Sequence, residues 1–175
     1  MENNWIEKLK DQEACEKGLD WASEQESPQA AWNACERADW MLWAWSRNCG
    51  RRGSESHRRL VLCAVECART GVKYIEEKEV KRLVKKSLDT TERWARGEES
   101  VTLNDVKNAA AAAFYAAADA AAAAAFYAAD AAFYAAAATG NDAARKKALK
   151  ECADIIRKIQ PLCPEFNQES NMVTY

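Results

Sequence analysis

Hydrophobic and polar positions along this 175-residue chain recur at intervals of three and four, not two. That is the period of a helix surface. From His57 onward Leu60, Ala64, Cys67/Ala68, Gly71 and Ile75 form one apolar stripe, and Val80, Leu83/Val84, Leu88, Thr91 and Trp94/Ala95 repeat it over Glu79 to Arg96. Two amphipathic helices follow. Gly97 is placed to end the second, and Thr102 with Asp105 three residues on forms a capping-box pattern for the next. That helix runs to about Ala138, roughly 36 residues or 54 Å at the helical rise. Thr139-Gly140-Asn141 stops it, and Ala144 to Ile159 forms a last helix with Ala148, Cys152, Ile155/Ile156 and Ile159 inward. In the first third, Glu13 to Ser23 reads as a helix, and Ser27-Pro28 is a start signal for another. Asp39 reads as the cap of a short helix, Trp40 to Trp45, that is apolar all round and therefore interior, and Arg47 to Ser56 reads as a loop.

The expected fold is all-α: a single-domain bundle of about seven helices with one long Ala-rich helix at its centre. Residues 1–11 are an N-terminal lead, 12–160 the helical domain and 161–175 a polar C-terminal tail. One core is expected from Trp40, Met41, Leu42, Trp43, Leu60, Ala64, Val84, Leu88, Trp94, Ile155 and Ile156. Removing the Trp43 side chain should then cost about 3–5 kcal/mol.

Composition narrows the function classes. Of 36 Ala, 22 lie between Ala109 and Ala138, while only six Gly and three Pro are present and no alternating Val/Ile/Thr run occurs. Sandwiches, barrels and nucleotide-binding α/β folds are excluded. Met1 to Lys10 carries neither an apolar run nor a small-residue cleavage site, and the seven Cys are odd in number without a disulfide spacing. The expectation is a cytoplasmic protein with reduced thiols. The Ala-rich segment is long enough to cross a bilayer, but Asp119 and Asp130 would each cost roughly 2.5–3.5 kcal/mol at depth, so no membrane association is expected.

Charge is uneven. Residues 1–50 hold 5 basic and 10 acidic side chains, 51–96 hold 13 and 7, and 97–175 hold 7 and 10. A positive middle between negative ends suits a bundle with complementary faces. It also offers a nucleic-acid alternative through Arg51, Arg52, Arg58, Arg59, Lys81, Arg82, Lys85 and Lys86, although Glu76, Glu77, Glu79 and Glu92 are interspersed at pairing distance. On the Ala-rich helix, Asp119, Tyr127, Asp130 and Tyr134 share an arc of about 80°, a candidate strip for a protein partner or, equally, a face turned to the protein's own basic helix. An ice-binding face fails because no Thr repeats at the 11-residue spacing. Cys63 and Cys67 at i and i+4 suit a buried apolar stripe better than a metal, and His57 sits among Arg58 and Arg59 rather than beside a thiol and an orienting group. No catalytic constellation, metal site or cofactor is expected.

Five strings stand in order along the chain: Cys35-Glu36-Arg37-Ala38-Asp39-Trp40-Met41-Leu42-Trp43, Arg59-Leu60-Val61-Leu62, Glu92-Arg93-Trp94-Ala95-Arg96-Gly97-Glu98, the Ala/aromatic stretch, and Glu151-Cys152-Ala153-Asp154-Ile155-Ile156-Arg157. Together they resemble the immunity-protein-five-like family of immunity proteins, over roughly residues 12 to 160. What the resemblance implies is a helical, immunity-like domain that inhibits by binding: a toxin of a bacterial conflict system or, if phage-encoded, a host defence effector such as a CRISPR nuclease. It implies no enzyme. The charges in these strings sit beside buried positions, so half-buried ion pairs and helix caps are expected there and the partner surface elsewhere. A small-ligand sponge is a further alternative, needing a pocket between the long helix and its neighbours.

Overall fold

Local capping chemistry sets most of the element boundaries in the computed structural model, which describes residues 5–51, 53–117 and 142–165, with side chains to residue 112 in the middle segment. Ser27 accepts from the Ala30 N–H with Pro28 in the first helical position, so α3 spans Pro28–Ala34. Ser54 accepts from the His57 N–H and opens α5, Glu55–Gly71. Both carboxylate oxygens of Glu77 accept from the first turn of α6, Lys78–Ala95. The capping box forms as expected: Thr102 Oγ1 accepts from the Asp105 N–H at 3.2 Å and Asp105 returns a bond from the Thr102 N–H at 2.8 Å. It starts α7, Leu103–Ala117. Gly97 ends α6 with φ +81°, the left-handed region that favours glycine, and a Cβ there would sit 2.8 Å from Arg58 Nη1 and displace the end of that flexible side chain.

The remaining helices are α1, Trp5–Asp11; α2, Glu16–Ser23; α4, Ala38–Asn48; and α8, Asp142–Ile159. A 3₁₀ turn, Val72–Tyr74, follows α5. The fold is all-α and single-domain, with eight α-helices and no strand among the described residues. None of these helices is long and apolar enough to cross a membrane. The stretch of the long Ala-rich helix beyond Ala117 lies outside the described residues.

Several expectations are corrected. The first residues are no simple lead, because Trp5 and Leu9 of α1 are buried against Ala22 and Ala31. Nor is the chain after residue 160 entirely a polar tail: Gln29 donates to the Pro161 carbonyl and accepts from the Cys163 N–H, and Pro164 is buried. Asp39 does not cap α4. It lies in the first turn, where Arg37 holds its two oxygens at 2.8 and 2.5 Å.

The single expected core is three clusters, because α5 presents two apolar stripes. Cys63 and Cys67 face α4 and α8, where Met41, Trp45 and Ile156 complete the largest cluster. Val65, Ala68 and Val72 face Val80, Val84 and Leu88 of α6. Trp45, at 1% exposure, holds the central position that had been given to Trp43, which is half-buried beside the α1–α3 cluster. Across the α5–α6 seam Arg69 reaches Asp89 at 2.8 Å and Glu92 at 2.6 Å, and Glu92 also pairs with Arg96. Arg96 first, then Arg69, holds the Glu92 carboxyl below its ordinary range. Trp45→Ala should lower unfolding free energy by about 3–5 kcal/mol, and Trp43→Ala by less than half of that, in urea denaturation. Equal losses would contradict this assignment of the core.

Candidate recognition site

The first four helices, with Cys163 from the C-terminal segment, form a half-open recess of about 440 Å³. Its construction begins at the α1–α2 turn, where the Glu13 N–H donates to the Lys10 carbonyl and the Ala14 N–H to the Leu9 carbonyl. Glu13 takes φ +64°, the left-handed conformation that glycine usually supplies at a helix end. A side chain there costs about 1–2 kcal/mol. The reversal brings α2 back over α1, and the Ser27 cap directs α3 beside both.

Five of the seven tryptophans line the space: Trp5 on α1, Trp21 on α2, Trp32 on α3, and Trp40 and Trp43 on α4. Trp21 and Trp40 meet with ring centroids 5.9 Å apart at 50°. Gly18, inside α2, forms part of the wall. Gly18 stands in the first turn of α2, its N–H bonded to the Cys15 carbonyl, and has no positive φ to call for glycine. A Cβ at Gly18 would lie 3.3 Å from Cys15 Sγ and 3.8 Å from Trp40, projecting between two lining side chains.

Charge enters the lining at Glu13, Arg37 and Asp39. Arg37, clamped by Asp39, lies 4.4 Å above the Trp40 ring, and Arg47 lies 5.8 Å from the Trp43 ring. The Asp39 hydrogen bond raises the Arg37 pKa further. An aromatic, concave space of this size with a few fixed polar groups at its edge has the features of a ligand- or partner-binding site.

Among the described residues, none of those expected to act lines the recess. Asp119, Tyr127, Asp130 and Tyr134 lie outside the described residues, as does Arg52. The other basic candidates do not converge. Arg58 lies 5.6 Å over Trp94 and donates to the Gly53 carbonyl, and Arg59 donates to the Ile159 carbonyl at 2.6 Å. Lys81 donates to the Ile75 carbonyl, and Arg82 pairs with Glu79. Arg51, Lys85 and Lys86 are exposed. Since α5 and α6 run antiparallel, Arg58 beside Trp94 is about 20 Å from the level of Lys81 at 1.5 Å per residue. Among the described residues no three His, Cys, Asp or Glu side chains gather as metal ligands.

The signal for the cavity was present in the sequence as the crowding of six tryptophans into residues 5–45. Helix periodicity assigns such residues to a core and does not show that four helices leave space between them. No protein-family model, curated protein or solved structure matches the chain.

Thiol reactivity reports the packing directly. Cys15, on the cavity lining, is exposed, while Cys35, Cys49, Cys63, Cys67 and Cys152 are buried. Burial pushes Cys35 and Cys163 up to about 11 and Cys63 up to about 12. At pH 8 the native protein should react rapidly with Ellman's reagent at Cys15 alone, and Cys15→Ser should remove the fast phase. Rapid reaction of three or more thiols would contradict the packing.

Proposed function

We propose that this protein is a non-enzymatic, immunity-like inhibitor that acts in the cytoplasm by binding a protein partner, a toxin or a defence effector. The observation that carries the reading is the tryptophan-walled recess on α1–α4, a preformed socket for anchor side chains of another protein. Tryptophan is enriched at binding hot spots because it removes a large apolar area from water with few rotors to freeze. A recess that exists before the partner arrives avoids much of the ordering cost of association.

The charges in the resembling motifs are paired within the protein. Arg37 and Asp39 hold each other, Arg93 pairs with Glu98 at 2.7 Å, and Arg157 pairs with Asp154 and caps α3 through the Cys35 carbonyl. Arg93, Glu98, Asp154 and Arg157 belong on this reading to the scaffold, whereas Arg37 and Asp39 line the recess, so the first string contributes to the recognition surface, contrary to the expectation that this surface lies outside the strings. The nucleic-acid alternative receives less support, since four of its basic side chains are engaged within the protein and the segment is divided between the two ends of a hairpin.

The test compares the wild-type protein with Gly18→Leu, which fills the recess without changing charge. Capture from producing cells, followed by reassembly from purified components, should give a stoichiometric complex with the wild type. Gly18→Leu, shown to be folded by circular dichroism, should bind at least tenfold more weakly. Undiminished binding by Gly18→Leu would remove the recess from the reading. Repeated failure to recover a partner, with turnover of a small molecule by the purified chain, would overturn the function.

A further inference from the structure

The recess has a definite chemical preference, and the argument begins with its charges. Glu13 and Asp39 supply two carboxylates to the lining, and Arg37, with Arg47 beside the Trp43 ring, two guanidinium groups. Asp39 is committed to Arg37 in a bidentate pair. Glu13 makes no ion pair among the described residues and is exposed. It also occupies the left-handed turn position where glycine would be relaxed, so the chain keeps a carboxylate at this edge against its backbone preference. The surrounding segment, residues 1–50, has 10 acidic and 5 basic side chains. Among the described residues Glu13 is thus the lining carboxylate left without a cationic partner, and it is where a cation of a bound molecule would be drawn.

The kind of cation follows from the walls. Two lining indoles already carry guanidinium groups of the protein itself, Arg37 at Trp40 and Arg47 at Trp43. A guanidinium is flat, weakly hydrated and forked, so it stacks on an indole and meets a carboxylate at the same time, which a compact ammonium does less well. At about 440 Å³ the space exceeds one arginine side chain and has room for an apolar neighbour. We infer that the recess accepts an arginine of the partner protein, stacked among the tryptophans with its guanidinium at Glu13 and an adjoining apolar side chain filling the remaining space. This rests on the recess being the partner site.

Three probes vary the charge: the naphthylamides of N-acetyl-arginine and N-acetyl-citrulline, which match in size, and of the shorter, anionic N-acetyl-glutamate. Binding is read as energy transfer from tryptophan to naphthalene. The arginine probe should bind with one-to-one stoichiometry, about tenfold tighter than the citrulline probe, and the glutamate probe weakest. Glu13→Gln should shrink the arginine-to-citrulline ratio several-fold, and Gly18→Leu should abolish binding of all three. Should Gly18→Leu fail to fold, alkylation of Cys15 in the folded wild-type protein supplies the same obstruction.

Equal affinity for arginine and citrulline, or a ratio unmoved by Glu13→Gln, overturns the inference. So does arginine binding that persists after Cys15 is alkylated, because the cation then sits elsewhere. The two readings fail separately. A captured partner that needs an open recess, with no arginine preference among the probes, overturns the chemistry and leaves the function standing. The full arginine preference with no protein captured supports the chemistry and overturns the protein partner.

Discussion

The guanidinium of Arg157 fastens the last helix to the end of α3, and the geometry of the first four helices depends on it. One nitrogen donates to the Cys35 carbonyl at 2.7 Å and to the Trp32 carbonyl at 3.3 Å, while another pairs with Asp154 at 2.6 Å. Carbonyls at a helix C-terminus have no partner within the helix, and an arginine supplies both the hydrogen bonds and a charge suited to that end of the dipole. Nearby, the Trp32 indole N–H donates to the Gln160 carbonyl at 2.8 Å, and Gln29 bonds both Pro161 and Cys163. Helix α3 is thus fixed by residues 157–163 while Ala31 and Trp32 line the recess, together with Cys163.

The recess is an expense that packing alone would not incur. Filling it would add dispersion contacts and remove apolar surface from water. The chain instead keeps glycine in the first turn of α2 and a non-glycine residue in a left-handed turn, the latter an unfavourable choice locally. The stability that offsets it comes from the densely packed junction of α4, α5 and α8, where Trp45, Met41, Ile156 and three cysteines are almost wholly buried. A rigid junction with a hollow beside it is what a preformed binding site requires.

How much of this was legible depends on how far apart the interacting residues lie. Ser27 with Pro28, Thr102 with Asp105, and Gly97 act within one helical turn, and their patterns were readable without a fold. Asp39 was misread as a cap because Arg37, two residues before it, takes both of its oxygens. Trp43 and Trp45 could not be ranked, since a helix apolar all round does not show which face meets its neighbours. That choice is made by α5 and α8. Arg157 looked like a motif charge beside inward isoleucines, but its carbonyl partners are 122 and 125 residues away. The recess itself is a property of four helices together, and no periodicity within any one of them encodes it.

Hydrogen exchange on Arg157→Met tests the central claim most directly. Methionine keeps much of the apolar stem and removes every donor, so the carbonyls of Trp32 and Cys35 lose their partner while the α5–α6 hairpin keeps its own contacts. The account predicts that amide protection falls by an order of magnitude or more across residues 28–48, with protection in 60–92 little changed. Protection retained across 28–48, or lost equally throughout the chain, would contradict the dependence of the recess on this one side chain.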